Sequence, residues 1–444
     1  MQNSTLMSQS AETEDKRKRL TPLLSAPTVM AICHRVMTNI IRNAAVLCML
    51  TLALILLSIS HFTIAAQNTV SESPLLTQKQ VHTIADFKMF NGQSVKEVKL
   101  GWESYGKLNA DKTNAILITH YFTGTSHAAG KYDLNDPTSG YWDSIIGPNK
   151  AIDTNKFFVL SMDSLANLNV KDENVITTGP ASINPDTGKP YGLTFPVITM
   201  RDMVNTQKSL LDSLGIEKLY AVAGPSMGSM QAIEWASAYP EKVERLISVI
   251  GSSYSDAWTT AALEQWAIPI KLDQHWQQGN YYESQPPTEG LTAALMFVTQ
   301  IALTPEYFNQ VGADINHNAL EPDPLQDIQA RHSINEWLYN RAKGRAEKMD
   351  ANSLLYLVRA CQLFMAGQKQ DIATGLQQIK AKTLFLPATQ DLLLMPYHAR
   401  NTHSALKTLK NDTQYAEIPG PLGHLEGVLG VQKHSSTIAA FLAN

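Results

Sequence analysis

The sequence predicts an α/β protein with a mostly parallel central sheet, helices on both faces and a helical insertion late in the chain. Two features carry this reading. From about residue 80, short β-branched apolar runs alternate with amphipathic stretches of helical period, as expected of strands buried on both faces by crossover helices. Between about residues 252 and 380 the strand signal stops, and stretches rich in Trp, Tyr, Gln and Met replace it. That segment reads as a lid over the sheet.

The clearest strands are 115–119, 157–161, 219–223, 246–250 and 383–387, with a further one at 414–418. Helices fit at 200–214 and 227–239. The expected division is therefore 1–66, a tail with a signal peptide or membrane anchor; 67–251, the first part of the core; 252–380, the lid; and 381–444, the last part of the core.

Composition narrows the function. With 44% apolar and 17% charged residues, the 444-residue chain can bury a large core and is not broadly disordered. A net charge of −4 offers no cationic field for a phosphate backbone, so nucleic acid is not an expected partner. The three cysteines, Cys33, Cys48 and Cys361, cannot build a disulfide framework and lack zinc-site spacing, and no metal or cofactor is expected.

Residues 1–43 are polar apart from short patches, with a charged block at 12–19 followed by Arg35 and Arg42. An uncharged apolar run occupies 44–58, and a short mixed stretch leads to the small residues Ala65 and Ala66. A basic flank, an apolar centre and a small-residue end form the order a secretory signal needs. The expectation is export to the periplasm or exterior, with cleavage near Gln67, or retention as a single-span anchor. A start at Met30 or Met37 would leave a flank of ordinary length. Cys361 alone remains beyond this segment, which suits an oxidising compartment.

The chemistry is concentrated at Gly224-Pro-Ser226-Met-Gly228, between a predicted strand and a predicted helix. This is a nucleophile elbow: small neighbours let the backbone turn sharply, the serine projects into open space, and the helix N-terminus offers N–H groups to an oxyanion. A serine hydroxyl is a weak nucleophile, so the elbow calls for a histidine base and a carboxylate to orient it. Asp391, just beyond a strand's carboxyl end, and His424, 33 residues later in a Gly/Pro loop, fit in that chain order. The expected oxyanion donors are the amides of Met227 and of Phe122, which follows the strand at 115–119. His120 and His127 lie near that turn, and a structural role suits them better than metal ligation, since no third ligand is nearby.

With these residues in view, the chain resembles the homoserine O-acetyltransferase family of α/β-hydrolase-fold enzymes over roughly residues 95–440. The segments that carry the resemblance include Tyr105-Gly-Lys-Leu-Asn109, Trp142-Asp-Ser-Ile-Ile-Gly-Pro148, 178–185, Arg201-Asp-Met-Val204 and 226–235. The resemblance implies an acyl-serine ping-pong mechanism with Ser226, Asp391 and His424 at the triad positions. It also implies a homodimer formed through the lid.

Three departures bear on the acceptor. The family places an acidic residue directly after the catalytic histidine; here Leu425 follows His424, and Glu426 is displaced by one. It also places an arginine on the first lid helix for the substrate carboxylate, whereas 263–269 contains none and Ala267 stands at that position. The Gly-rich segment before Thr178 is replaced by 166–174. These changes argue against a zwitterionic acceptor. Export argues the same way, because acyl-CoA is a cytoplasmic resource. The expected activity is hydrolysis of a small acyl ester. A transferase using acyl-CoA as co-substrate is the alternative, and a catalytically idle binding protein is the third possibility. Membrane contact is expected only through the N-terminal segment.

Overall fold

The computed structural model describes residues 37–38, 75–312, 322–369 and 371–444. The predicted export segment at 44–66 lies outside them, and Pro74–Asn444 forms one compact unit.

The central sheet of that unit has eight strands. They are β1 (Gln80–Lys88), β2 (Ser94–Tyr105), β3 (Ala115–Ile118), β6 (Phe158–Met162), β7 (Ala221–Pro225), β8 (Arg245–Val249), β9 (Lys382–Leu386) and β10 (Thr413–Tyr415). The short pair β4 (Ile146–Gly147) and β5 (Ile152–Asp153) forms a separate two-stranded sheet. The strand order is β1-β2-β6-β3-β7-β8-β9-β10. From β6 to β10 every pairing is parallel. Strands β3, β7 and β8 lie at the centre, almost wholly buried, which explains why they read as continuous apolar runs.

β1 and β2 form an antiparallel pair on one edge, joined to β6 by β2. Neither is among the clearest strands of the sequence. β1 mixes exposed and half-exposed positions with a single buried Phe87, so it lacks the uninterrupted apolar run that marks a two-sided strand. The expected strand at 219–223 also begins two residues later, because Leu219 forms only an isolated bridge to Val243.

Helix α1 (Met200–Leu214) occupies the predicted span. It is closed at its start by a Thr199–Asp202 capping box and at its end by Gly215 in the left-handed region, φ 68°. Helix α2 (Met227–Ala238) follows β7 directly and is buried along nearly its whole length. Strands then give way to helices over α3 (Ala257–Leu272), α4 (Thr288–Ala302), α5 (Pro305–Val311), α6 (Ser333–Ala346), α7 (Ala351–Gln362) and α8 (Ile372–Gln377). The sheet resumes with β9, followed by α9 (Pro396–Thr408). Two layers of core result, one on each face of the sheet, with Leu117, Leu160 and Val222 facing one and Ile116, Ile118 and Ala223 the other. Among the described residues no helix is long and apolar enough to cross a membrane.

Candidate active site

β7 ends at Pro225, and α2 begins at Met227, leaving a single residue for the reversal of direction. That residue is Ser226, at φ 60° and ψ −122°, an uncommon conformation for a side chain with a Cβ. The Ser226 N–H donates to the Val249 carbonyl at 2.9 Å, tying the turn to β8. A Cβ at Gly224 or Gly228 would collide with Thr119, so both glycines are required by the close approach of the β3 end to the turn.

The structure brings the three expected side chains together from separate parts of the chain. Ser226 Oγ lies 2.7 Å from His424 Nε2, and His424 Nδ1 lies 2.6 Å from Asp391 Oδ2. Asp391 Oδ1 accepts from the Leu393 and Leu394 amides at 2.9 and 3.0 Å. All three residues are buried. A carboxylate has no proton to give, so Nδ1 of the imidazole carries the hydrogen and Nε2 is left to accept from the serine hydroxyl. That is the arrangement a general base requires.

Neither the Phe122 nor the Met227 N–H donates to another group among the described residues. Met227 is the first residue of α2 and has no partner one turn back. Both residues line the cavity that contains Ser226 and His424.

The Phe122 turn is held by a buried polar network that no motif in the sequence signals. Glu103 of β2 is fully buried and accepts from His127, Tyr105, Tyr132 and Lys79 at 2.6 to 3.0 Å. Burial alone would raise its carboxyl, but His127, Lys79 and Tyr132 outweigh that cost and hold it at about 2. Asp163, at the end of β6, accepts from the Ser126 amide at 2.7 Å. His120 donates from Nδ1 to the Tyr121 carbonyl at 2.8 Å and accepts at Nε2 from the Ser164 amide at 3.0 Å. Its burial pushes the imidazole down to about 4, so it stays neutral and cross-links the turn to the chain beyond β6. His120 and His127 are therefore braces of the Phe122 turn. Among the described residues no group of three or more His, Cys, Asp or Glu could hold a metal ion.

The lid roofs the site. Thr259, Leu263 and Trp266 present one face of α3 to the cavity, at helical spacing, and Trp266 meets the Phe122 ring edge-on at 5.3 Å. Val298, Thr299 and Ala302 come from α4, and Leu425 and Val428 close the side next to His424. The cavity measures about 90 Å³. That is smaller than the roughly 150 Å³ that accommodates benzene, and it suits a short acyl group. Cys361 also lines it, with a thiol that burial raises to about 12 and so keeps unreactive.

Comparison with known proteins agrees with this fold. The profile of the α/β hydrolase fold family matches residues 177–424. A homoserine O-acetyltransferase of Methanosalsum zhilinae is 37% identical over 83% of this chain and 73% of its own. That of Geobacter sulfurreducens is 34% identical over 83% of this chain and 98% of its own. The chain belongs to the homoserine O-acetyltransferase family of α/β hydrolases. Among solved structures, esterase E22 is 61% identical with a TM-score of 0.81, covering 83% of this chain and all of its own. The homoserine O-acetyltransferase of Bacillus anthracis is 35% identical with a TM-score of 0.79, covering 83% and 98%. Transferases and an esterase are thus both similar to this chain.

The lining of the cavity differs from the sequence expectation at two points and agrees at a third. Ala267 does not face Ser226. It lies on the other flank of α3 and lines a separate hollow with Glu264, Trp276 and Arg359, because it falls one residue past the Thr259–Leu263–Trp266 face. Nor is the cavity without arginine: α6 sends in Arg341 and Arg345. Nothing in the sequence joined α6 to the elbow, more than 100 residues away, so these two were missed. Leu425 does line the cavity. Glu426 turns away and accepts from the Leu422 amide at 3.1 Å and from Lys433 Nζ at 2.7 Å. It cannot substitute for an acid at 425.

Proposed function

We propose that this family member is a serine esterase that transfers the acyl group of a small ester to water. Ser226 Oγ attacks the ester carbonyl carbon as His424 Nε2 takes its proton. The Phe122 and Met227 amides receive the oxyanion, and Asp391 stabilises the imidazolium. Collapse expels the alcohol, which takes the proton from His424. Water then attacks the acyl-serine, again giving its proton to His424, and the carboxylic acid leaves as Ser226 is regenerated. The relay distances of 2.7 and 2.6 Å support these roles.

The observation that favours water over homoserine is the absence of any Asp or Glu among the described residues lining the cavity around Ser226. An α-ammonium group entering it would meet Leu425 and two arginines, with no anion to replace its hydration. Assays run side by side on the purified protein test this. We expect p-nitrophenyl acetate to be hydrolysed at a kcat/KM of about 10⁴ M⁻¹s⁻¹ or more. Acetyl-CoA with homoserine should give O-acetylhomoserine at background only; the reverse pattern assigns a transferase.

Leu425→Asp adds the missing anion. It should raise kcat/KM for acetyl transfer to homoserine by about 10- to 100-fold, the size of a charge-assisted hydrogen bond in a desolvated site. A folded Leu425→Asp protein with no gain would refute the assignment of Leu425 to acceptor choice.

We also propose that the enzyme acts outside the cytoplasm, on the strength of the basic flank and the apolar run at 44–58. Fractionated cells should contain mature protein starting near Gln67 outside the cytoplasm, or a membrane-bound full-length form. Full-length soluble protein in the cytoplasm contradicts both.

A further inference from the structure

The hydrolytic steps use no arginine, yet two guanidinium groups face the cavity. Arg341 and Arg345 are four residues apart on α6, so they share one face of the helix. Arg341 is exposed and packs over the Trp337 ring at 5.6 Å; Arg345 is partly buried and donates from Nη1 to Thr299 Oγ1 at 3.3 Å. Among the described residues the arginines that form ion pairs are Arg201, Arg245 and Arg400, so neither of these two is matched by a carboxylate. The groups with charge or titratable protons that face Arg345 are Arg341 and the Tyr121 phenol. Burial raises that phenol above its ordinary range and keeps it neutral. Like charges one helical turn apart repel, and a guanidinium withdrawn from water without an anion destabilises the fold. The cavity holds a positive charge that no described carboxylate matches.

We infer that the ester taken by this site carries a carboxylate, received by Arg345 with Arg341 at the cavity mouth while the ester carbonyl lies at Ser226. The planar guanidinium fork suits a carboxylate better than any neutral group. Leu263, Trp266 and Val298 line the apolar wall along which a short connecting chain would lie. No Asp or Glu is among the described residues lining the cavity to receive an ammonium, so the substrate class is a monoester of a short dicarboxylic acid or the acyl ester of a short hydroxy acid. The two share the same chemistry and differ in which half carries the charge. The inference deepens the esterase reading and rests on it for the position of the carbonyl.

Matched ester pairs test it. One pair is p-nitrophenyl hemiglutarate against p-nitrophenyl pentanoate, with the charge on the acyl half. The other is 4-acetoxybutanoate against its methyl ester, with the charge on the alcohol half. We expect the anionic member to be preferred in one pair, identifying the half, and Arg345→Gln to cut that preference by about 10- to 100-fold. Arg345→Lys should restore part of it. No anionic preference in either pair, or one unchanged by Arg345→Gln, overturns the inference while leaving the esterase reading intact. If no ester is hydrolysed, the esterase reading fails, and the inference is decided by calorimetry on Ser226→Ala. Monomethyl glutarate should then bind at least about 10-fold more tightly than dimethyl glutarate, and equal binding overturns it. The wild-type preference and this titration need no arginine variant.

Discussion

Ser226→Ala should lower kcat for ester hydrolysis by about 10⁴- to 10⁶-fold while leaving the melting temperature close to that of the parent. The size follows from the way the relay works as a unit: without a nucleophile the base and its carboxylate have nothing to activate, and the remaining rate comes from binding and the oxyanion donors. The fold should survive, because the Ser226 hydroxyl has a single protein partner, His424, whereas the turn is held by the Ser226 amide on Val249 and by the two glycines against Thr119. Alanine keeps those contacts. The positive φ at 226 is as tolerable for alanine as for serine, since both carry a Cβ. Steady-state kinetics with a scanning-calorimetry control checks both halves, and mass spectrometry after fluorophosphonate treatment should find the label on Ser226 alone. Labelling elsewhere, or an active Ser226→Ala protein, refutes the assignment.

Asp391→Asn should cost about 10⁴-fold in kcat near neutral pH, and the reason is a tautomer. Oδ1 of Asp391 is fixed by two backbone donors, the amides of Leu393 and Leu394. An asparagine must keep its carbonyl oxygen there and turn its NH₂ group toward His424. Nδ1 of the imidazole then has to accept, which moves the ring proton to Nε2, where it faces the Ser226 hydroxyl. The base can no longer accept the serine proton. Asp391→Ala lacks that misdirecting donor and leaves the imidazole free to change tautomer, so it should be no more damaging than the closer isostere. An Asp391→Asn enzyme within about 10-fold of the parent would show that the carboxylate does not set the tautomer.

How much of this was legible in the sequence depended on whether the signal was local. The elbow is local: strand, turn and helix lie within 18 residues, and each glycine is there because Thr119 comes too close for a side chain. Asp391 and His424 were found because each follows a strand, and an α/β sheet presents its chemistry at those ends. The antiparallel β1–β2 edge is not among the clearest strands because neither carries the uninterrupted apolar run of the central ones: β1 is exposed or half-exposed except at Phe87, and β2 has Lys96, Glu97, Lys99 and Glu103 among its apolar residues. Arg341 and Arg345 were missed for a different reason. Their meaning depends on which face of α6 the lid turns toward Ser226, and on the absence of an acid opposite, neither of which is written in α6 itself. The same limit applies to Ala267: at 100° per residue it stands off the cavity face marked by Trp266 and lines a separate hollow, which the sequence of α3 alone does not show. Glu103 was passed over because a lone acid in a strand gives no hint of the four partners that surround it once the Phe122 turn folds over β2.

The central claim is that the acyl group on Ser226 goes to water, and the partition of a preformed acyl-enzyme measures that choice directly. The protein should be acetylated rapidly with p-nitrophenyl acetate, freed of excess ester, and mixed with homoserine over a range of concentrations. Released acetate and O-acetylhomoserine would then be quantified from the same reaction. The account predicts acetate as nearly the sole product, with a release rate that homoserine does not change. A rate that rises with homoserine concentration and a product that is mostly O-acetylhomoserine would contradict it.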